Sequence, residues 1–177
     1  DDETDLRFKD LRAFGRMSIS PSLEEAYKQD AIAALAPEPL DEKNFTLKYF
    51  TNSLKKYTSN IKGLLLDQQK VVSGVGNIYA DESLFLAGIQ PTREANKIKP
   101  KEAEKLYKSI KTVIANSIEA GGTSIRDYVQ TTGEFGNYAL ELFVYGRKKQ
   151  SCLVCESPIT YTRIAQRGTH FCPKCQL

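Results

Sequence analysis

The apolar positions of this chain change rhythm three times, and each rhythm predicts a different kind of element. In "LRFKDLRAFGRMSIS", residues 6–20, Leu6 and Phe8 and then Met17 and Ile19 nearly alternate around a glycine, the pattern of a strand, a tight turn and a second strand. Two strands alone are marginally stable, so this hairpin needs a sheet that the chain does not visibly supply. "SLEEAYKQDAIAALA" reads as one helix, with Ser22 as N-cap, Glu25 as its capping-box partner and Pro37 as terminator. "PEPLDEKN" then reads as a linker. From Phe45 the period is helical through "FTLKYFTNSLKKY", "IKGLLLDQQKVV", "IYADESLFLAG" and "PKEAEKLYKSIKTVIANSIEAGG". In the last of these, Pro100 marks the start, Leu106, Ile110, Val113, Ile114 and Ile118 recur at three- and four-residue steps, and Gly121-Gly122 supplies the stop. A polar loop, "TTGEFGN", and a strand-like "LELFVYG" lead into a cysteine-containing end. No internal repeat is visible.

Composition adds bounds. A chain of 177 residues with 41% hydrophobic residues can bury one sizeable core and carry a small satellite module without disulfides. No apolar run is long enough to span a bilayer, and "DDETDLRFKD" lacks the layout of a secretory signal, so we expect a soluble cytoplasmic protein, a monomer with no membrane partner. The net charge of +3 says little about partners, but its distribution says more. Residues 144–177 hold Arg147, Lys148, Lys149, Arg163, Arg167 and Lys174 against the single acid Glu156, whereas "DDETD" and "EPLDE" gather negative charge near the start. A solvated, charge-mixed surface would look the same.

The four cysteines are more specific. Cys152 and Cys155 form one Cys-x-x-Cys pair, and sixteen residues separate it from a second, Cys172 and Cys175. That is zinc-ribbon spacing, in which two knuckles bring four thiolates to one tetrahedral ion. Paired disulfides are disfavoured in a reducing compartment, and a redox Cys-x-x-Cys does not come twice at this interval. Four thiolates close every coordination position, so the expected zinc is structural. His170, the single histidine, reads as a packing or hydrogen-bonding side chain.

Between two helical stretches lies "KVVSGVGNIYADESLF". Here Gly74 can stop one helix, Gly76 can let the backbone approach a ligand, and Asn77 can N-cap the next helix, a ready site for an anion. A plain helix-turn-helix corner would read alike.

Taken together, "LLLDQQKVVSGVGNIYADESLF" and "QRGTHFCPKCQ" resemble the helix-two-turn-helix and the terminal zinc finger of the formamidopyrimidine-DNA glycosylase family of bacterial base-excision repair. The resemblance runs through "DLRAFGRM", "LAPEPL", where Ala36 replaces a family glycine, and "VYGR". It implies a mainly α fold: a helix-two-turn-helix domain, a small β-hairpin zinc finger after it, and remnant strands of a β-sandwich before it. The expected divisions are 1–20 for the last sandwich strands, 21–44 for a linker helix and loop, 45–142 for the helical domain and 143–177 for the finger.

Its residue assignments carry over one by one. Arg12 and Phe14 match the wedge that fills the void left by an extruded base. Lys62 and Asn77 match residues gripping phosphates beside the lesion, with Gly76 at the same DNA-binding turn. Arg167 matches the finger arginine that clamps phosphates and takes a catalytic part in the second elimination. "TTGEFGNYA", with residues 131–139, occupies the place of the loop over the flipped base.

In the family, an N-terminal proline amine followed by glutamate is the nucleophile, and covalent catalysis divides base excision and strand cleavage into easier steps. This chain opens Asp1-Asp2-Glu3. The expectation is therefore a DNA-binding portion of a longer enzyme that excises oxidised purines from duplex DNA and cleaves the abasic strand by β,δ-elimination, inactive by itself. Alternatives are a noncatalytic zinc-containing DNA-binding protein and the family's oxidised-pyrimidine relative.

Overall fold

The computed structural model describes residues 8, 10, 15, 17–122 and 142–177. Arg12, Phe14, the loop at 131–139 and most of the expected hairpin at 6–20 lie outside the described residues; residues 17–20 carry no strand. The chain divides into two compact units, Asp1–Ala34 and Leu35–Leu177.

In the first unit the single predicted helix is two short ones, α1 (Leu23–Tyr27) and α2 (Asp30–Ala33). Ser22 caps α1 as expected, accepting the Glu25 N–H at 3.2 Å. The break falls at Gln29, which is extended and whose amide is held by the Ser18 and Ser20 hydroxyls at 3.0 and 2.8 Å.

The second unit is built from α3 (Leu47–Leu54), α4 (Ile61–Leu66), α5 (Asn77–Ala87), a 3-10 turn at Ala95–Lys97 and α6 (Pro100–Glu119), followed by the hairpin β1 (Thr160–Ile164) and β2 (Arg167–Phe171). Thr46 and Asn60 cap α3 and α4 through side-chain oxygens. α4 is shorter than its apolar run. Gln68 donates to the Leu66 and Val75 carbonyls at 3.1 and 3.2 Å and accepts the Gly74 N–H at 2.6 Å, converting residues 67–76 into a closed loop. Gly74, at φ +76°, thus shapes this loop and does not terminate a helix. The expected linker docks on the same loop: the Ala36 N–H donates to the Gln68 carbonyl at 2.9 Å, and Pro37 accepts from Ser73 at 3.1 Å.

Phe45, Phe50, Leu54, Leu64, Leu84, Leu106 and Ile110 form one buried core. Tyr107 stacks on Phe45 at 5.1 Å and donates its hydroxyl to the Phe45 carbonyl at 2.9 Å, tying α6 to the start of α3. α5 is buried at every position from Ala80 to Phe85, which explains a sequence apolar on more than one side. Ala80, Leu84 and Ala87 face the helical core, while Phe85 belongs to a second cluster with Val144, Cys152, Ile159 and Cys172 of the finger. Among the described part of the strand-like "LELFVYG", residues 142–146 form turns and no strand. Their N–H groups have another acceptor: the Glu82 carboxylate takes those of Phe143, Val144 and Tyr145 at 2.8, 3.0 and 2.8 Å.

Candidate nucleic-acid interface and metal centre

The four cysteine sulfurs lie within 4.8 Å of one another, with Cys152 to Cys175 at 3.9 Å and Cys155 to Cys172 at 3.4 Å. A tetrahedral zinc with bonds of about 2.3 Å sets sulfurs about 3.8 Å apart, so the residues fit the ion. Backbone N–H groups of Val154 and Cys175 point at the sulfurs of Cys152 and Cys172, at 3.5 and 3.4 Å, as a knuckle binding thiolates requires. Burial, and then the neighbouring sulfurs, push the Cys175 thiol up, whereas hydrogen bonds from Ser157 hold that of Cys155 down to about 6. His170 is no ligand. Its ring sits 5.0 Å from those of Tyr145 and Tyr161, and its backbone N–H donates to Asp81 at 2.8 Å.

The finger's hairpin reaches back to the helical core at the start of α5. β1 and β2 pair antiparallel, with Tyr161 opposite His170, Arg163 opposite Gly168 and Ile164 opposite Arg167. The tip residues Ala165 and Gln166 have φ +48° and +60°, the two-residue turn that matches strand twist but strains residues with a Cβ. Gly63 lets this tip approach α4, since a Cβ there would meet the Ala165 Cβ at 3.2 Å and Asn60 Oδ1 at 2.9 Å.

Lys62 does not stand where a phosphate could reach it. Its side chain has no exposed surface, and its ammonium is spent on Asp81 at 2.6 Å, the Thr169 hydroxyl at 2.7 Å and the Gly168 carbonyl at 2.9 Å. This corrects the expectation of direct phosphate contact: Lys62 is a strut between α4, α5 and β2. Burial pushes its ammonium down and Asp81 opposes that shift. Asn77 is likewise displaced from its expected place. The N-cap of α5 is Gly76, which brings no side-chain cap, and Asn77 is the first helical residue, donating Nδ2 to Gly168 at 3.0 Å. Its Oδ1 is buried and has no partner among the described residues.

These contacts bring Gly76, Asn77 and Arg167 to one groove of about 490 Å³, lined also by Gly63, Leu66, Asp67, Gln68, Val75 and Ala165. Arg167 is exposed, and among the described residues it has no carboxylate partner. A Cβ built on Gly76 meets no described residue within 4 Å, so among the described residues the backbone at the positive end of α5 is open to the groove. Asp67 is paired to Lys70 at 2.9 Å, which holds its carboxyl below the usual range and offsets its charge at the rim. Sequence reasoning passed over Asp81, Glu82 and Gln68, which position everything else. The available signal was two adjacent acids inside an apolar helix, which demand buried partners.

A helical domain that clasps a tetracysteine hairpin against the start of its central helix defines a helix-two-turn-helix protein with a zinc finger. Residues 35–129 match the formamidopyrimidine-DNA glycosylase H2TH domain, and residues 149–177 match the zinc finger found in FPG and IleRS. The chain belongs to the formamidopyrimidine-DNA glycosylase family, and its four cysteines form the zinc site of that finger. It is 47% identical over 175 residues to the formamidopyrimidine-DNA glycosylase of Enterococcus faecalis, covering 99% of this chain and 61% of that one. For the Listeria monocytogenes protein the identity is 43% over 176 residues, with 99% and 63% covered. The chain thus spans a little over three fifths of the length of these curated relatives. Among solved structures, the Thermus thermophilus MutM (FPG) protein superposes with a TM-score of 0.79 at 40% identity, over 85% of this chain and 57% of the other. A Lactococcus lactis FPG variant in complex with Fapy-dG-containing DNA gives 0.79 at 38%, over 87% and 56%.

Proposed function

We propose that this chain supplies the DNA-grasping part of a base-excision repair enzyme that removes oxidised purines, 8-oxoguanine and formamidopyrimidines, and cleaves the abasic strand by β,δ-elimination. The observation that carries this reading is the groove where Arg167, Asn77 and the open N-terminus of α5 converge. A guanidinium beside oriented amide donors is suited to the phosphates of one strand. Arg167, the catalytic candidate, clamps the phosphate flanking the lesion; Gly76 and Asn77 take the next one. In this reading Arg12 and Phe14 fill the void left by the flipped nucleotide, the wedge chemistry that extrusion of a base requires. Zinc supplies no chemistry to the reaction and serves to hold the hairpin folded. Residues 1–20, 21–44, 45–142 and 143–177 are taken as sandwich strands, linker, helical domain and finger. Working on the bacterial nucleoid in the cytoplasm as a monomer would suit this task, as would solved relatives bound to Fapy-dG-containing and abasic-site DNA.

Binding to a duplex carrying an abasic analogue, followed against salt, tests this. Arg167→Ala and Asn77→Ala should each weaken binding, and Arg167→Ala should flatten the salt slope by about one unit. Unchanged slopes with folded, zinc-loaded variants would remove the groove from the interface.

A further inference from the structure

The finger has a second charged face that the groove does not use. Residues directly opposite one another in an antiparallel pair share a face, so Tyr161, Arg163, Gly168 and His170 lie on one side of the ribbon, while Ile164, Arg167 and Thr169 lie on the other. Thr169 is the side held by Lys62. On the first face Lys148 places its ammonium 4.8 Å from the centre of the Tyr161 ring, and Tyr161 in turn packs on His170. Arg163 stands two residues further along β1, opposite a glycine that casts no side chain over it.

Lys148 and Arg163 are exposed, and among the described residues neither has a carboxylate partner. Three lysines elsewhere, Lys28, Lys70 and Lys108, each hold a carboxylate within 3.0 Å. Glu156, the one acid of residues 144–177, sits in the first cysteine knuckle and not on the hairpin. Two residues of strand span about 6.7 Å, and a DNA strand carries a phosphate about every 3.4 Å of axis. Arg163 and the Tyr161 ring that Lys148 covers are therefore separated along the strand by about the axial length of two phosphate steps.

We propose that Lys148, Tyr161 and Arg163 form a second contact face for the phosphodiester backbone of the duplex flanking the damaged nucleotide. This rests on the groove reading above and extends it. Charge complementarity selects the occupant: unneutralised cations beside an exposed aromatic ring suit a sugar-phosphate backbone, whereas a protein partner would have to bring its own acids. Contact through this face lengthens the protein's footprint and carries no base preference, since phosphate contacts position and do not specify.

The test compares the chain with its Lys148→Ala/Arg163→Ala variant on two abasic-analogue duplexes, about 24 and about 8 base pairs long, with Arg167→Ala as a reference; two lost phosphate contacts should lower the salt slope by about 1.8 and affinity by about 10- to 60-fold near 0.1 M salt. The expected result is that loss on the long duplex and none on the short one, with zinc content unchanged. An equal loss on both duplexes would place the face at the lesion and overturn the flanking assignment. No change on either, with Arg167→Ala still flattening the slope, would overturn the second face and leave the groove standing. If Arg167→Ala also changes nothing, the groove reading fails and this one with it. Binding of an acidic protein with no effect on DNA would likewise refute the proposal.

Discussion

Lys62 separates two accounts of the same residue, because a phosphate ligand and a buried strut respond oppositely to one substitution. Its ammonium lies 2.6 Å from Asp81, with neither side chain exposed. At an effective dielectric of about 20, that separation corresponds to roughly 6 kcal/mol of attraction, set against several kcal/mol of desolvation for each ion. The pair therefore contributes little net stability, yet removing one member strands the other. Lys62→Met leaves Asp81 with His170 alone, its N–H at 2.8 Å and its ring Nδ1 at 3.6 Å, and unties Thr169 and the Gly168 carbonyl, so it should cost about 3–5 kcal/mol. Asp81→Asn should cost a similar amount. The double variant should cost clearly less than the sum, because the uncompensated charge is gone. Urea denaturation of the zinc-loaded chain gives these values. Salt titration of DNA binding, at a temperature where the variants stay folded, gives the other half: the slope of Lys62→Met should match the parent. A variant losing less than about 1 kcal/mol while its slope flattens by about one unit would return Lys62 to the phosphates and refute the strut.

Further expectations follow from the same contacts. Chelation should unfold residues 149–177 and leave the helices of residues 47–119 intact, because zinc binding worth on the order of 10 kcal/mol is the finger's folding energy; a hairpin persisting by NMR after metal removal would contradict this. The bidentate Arg93 guanidinium beside Glu102 holds its carboxyl down to about 2. A carboxylate with a lowered folded value stabilises above its unfolded value, so about 1–2 kcal/mol, allowing for partial exposure, should be present above about pH 4.5 and lost toward pH 2. Glu102→Gln should flatten the acid limb of the stability profile, and an unaltered limb would sink the assignment. Gln166→Gly should stabilise the finger by up to about 1 kcal/mol by relieving a left-handed residue, read as a higher midpoint for hairpin melting.

Local signals were legible where one residue type solves one local problem. Ser22 capping α1, Pro100 opening α6 and the two cysteine knuckles are instances, since each needs only its sequence neighbours. Misreadings arose where a distant side chain supplied the hydrogen bonds. Residues 67–73 look helical until Gln68 folds their ends together, and residues 142–146 look like a strand until Glu82 takes their N–H groups. Lys62 illustrates the same limit for function: a lysine in a DNA-binding motif invites a phosphate, and only the fold reveals Asp81, nineteen positions along the chain, already holding it.

α5 explains how the finger half of the candidate site is oriented against the helical half. One side of this helix closes the helical core through Ala80 and Leu84, and its first residue opens the groove. Its other side carries Asp81, Glu82 and Phe85, which respectively hold β2, the approach to the first cysteine knuckle, and the finger's small apolar cluster. A closing seam adds Gln176, which bridges the Cys172 N–H at 2.8 Å and the Ile89 carbonyl at 2.9 Å just beyond the helix. A finger of this size cannot bury enough surface to orient itself. Two buried carboxylates accomplish it instead, because each is satisfied only when the finger's amide groups are in place, and unsatisfied buried acceptors cost more than loose apolar contacts. The same logic sets Arg167 relative to Asn77: both depend on Gly168, whose carbonyl accepts from Lys62 and Asn77 one residue after the arginine. Glu82→Ala should therefore impair DNA binding without touching a groove residue, and its effect should be largest on affinity and smallest on zinc content. Loss of zinc in step with affinity would show that Glu82 supports the metal site itself and not its orientation.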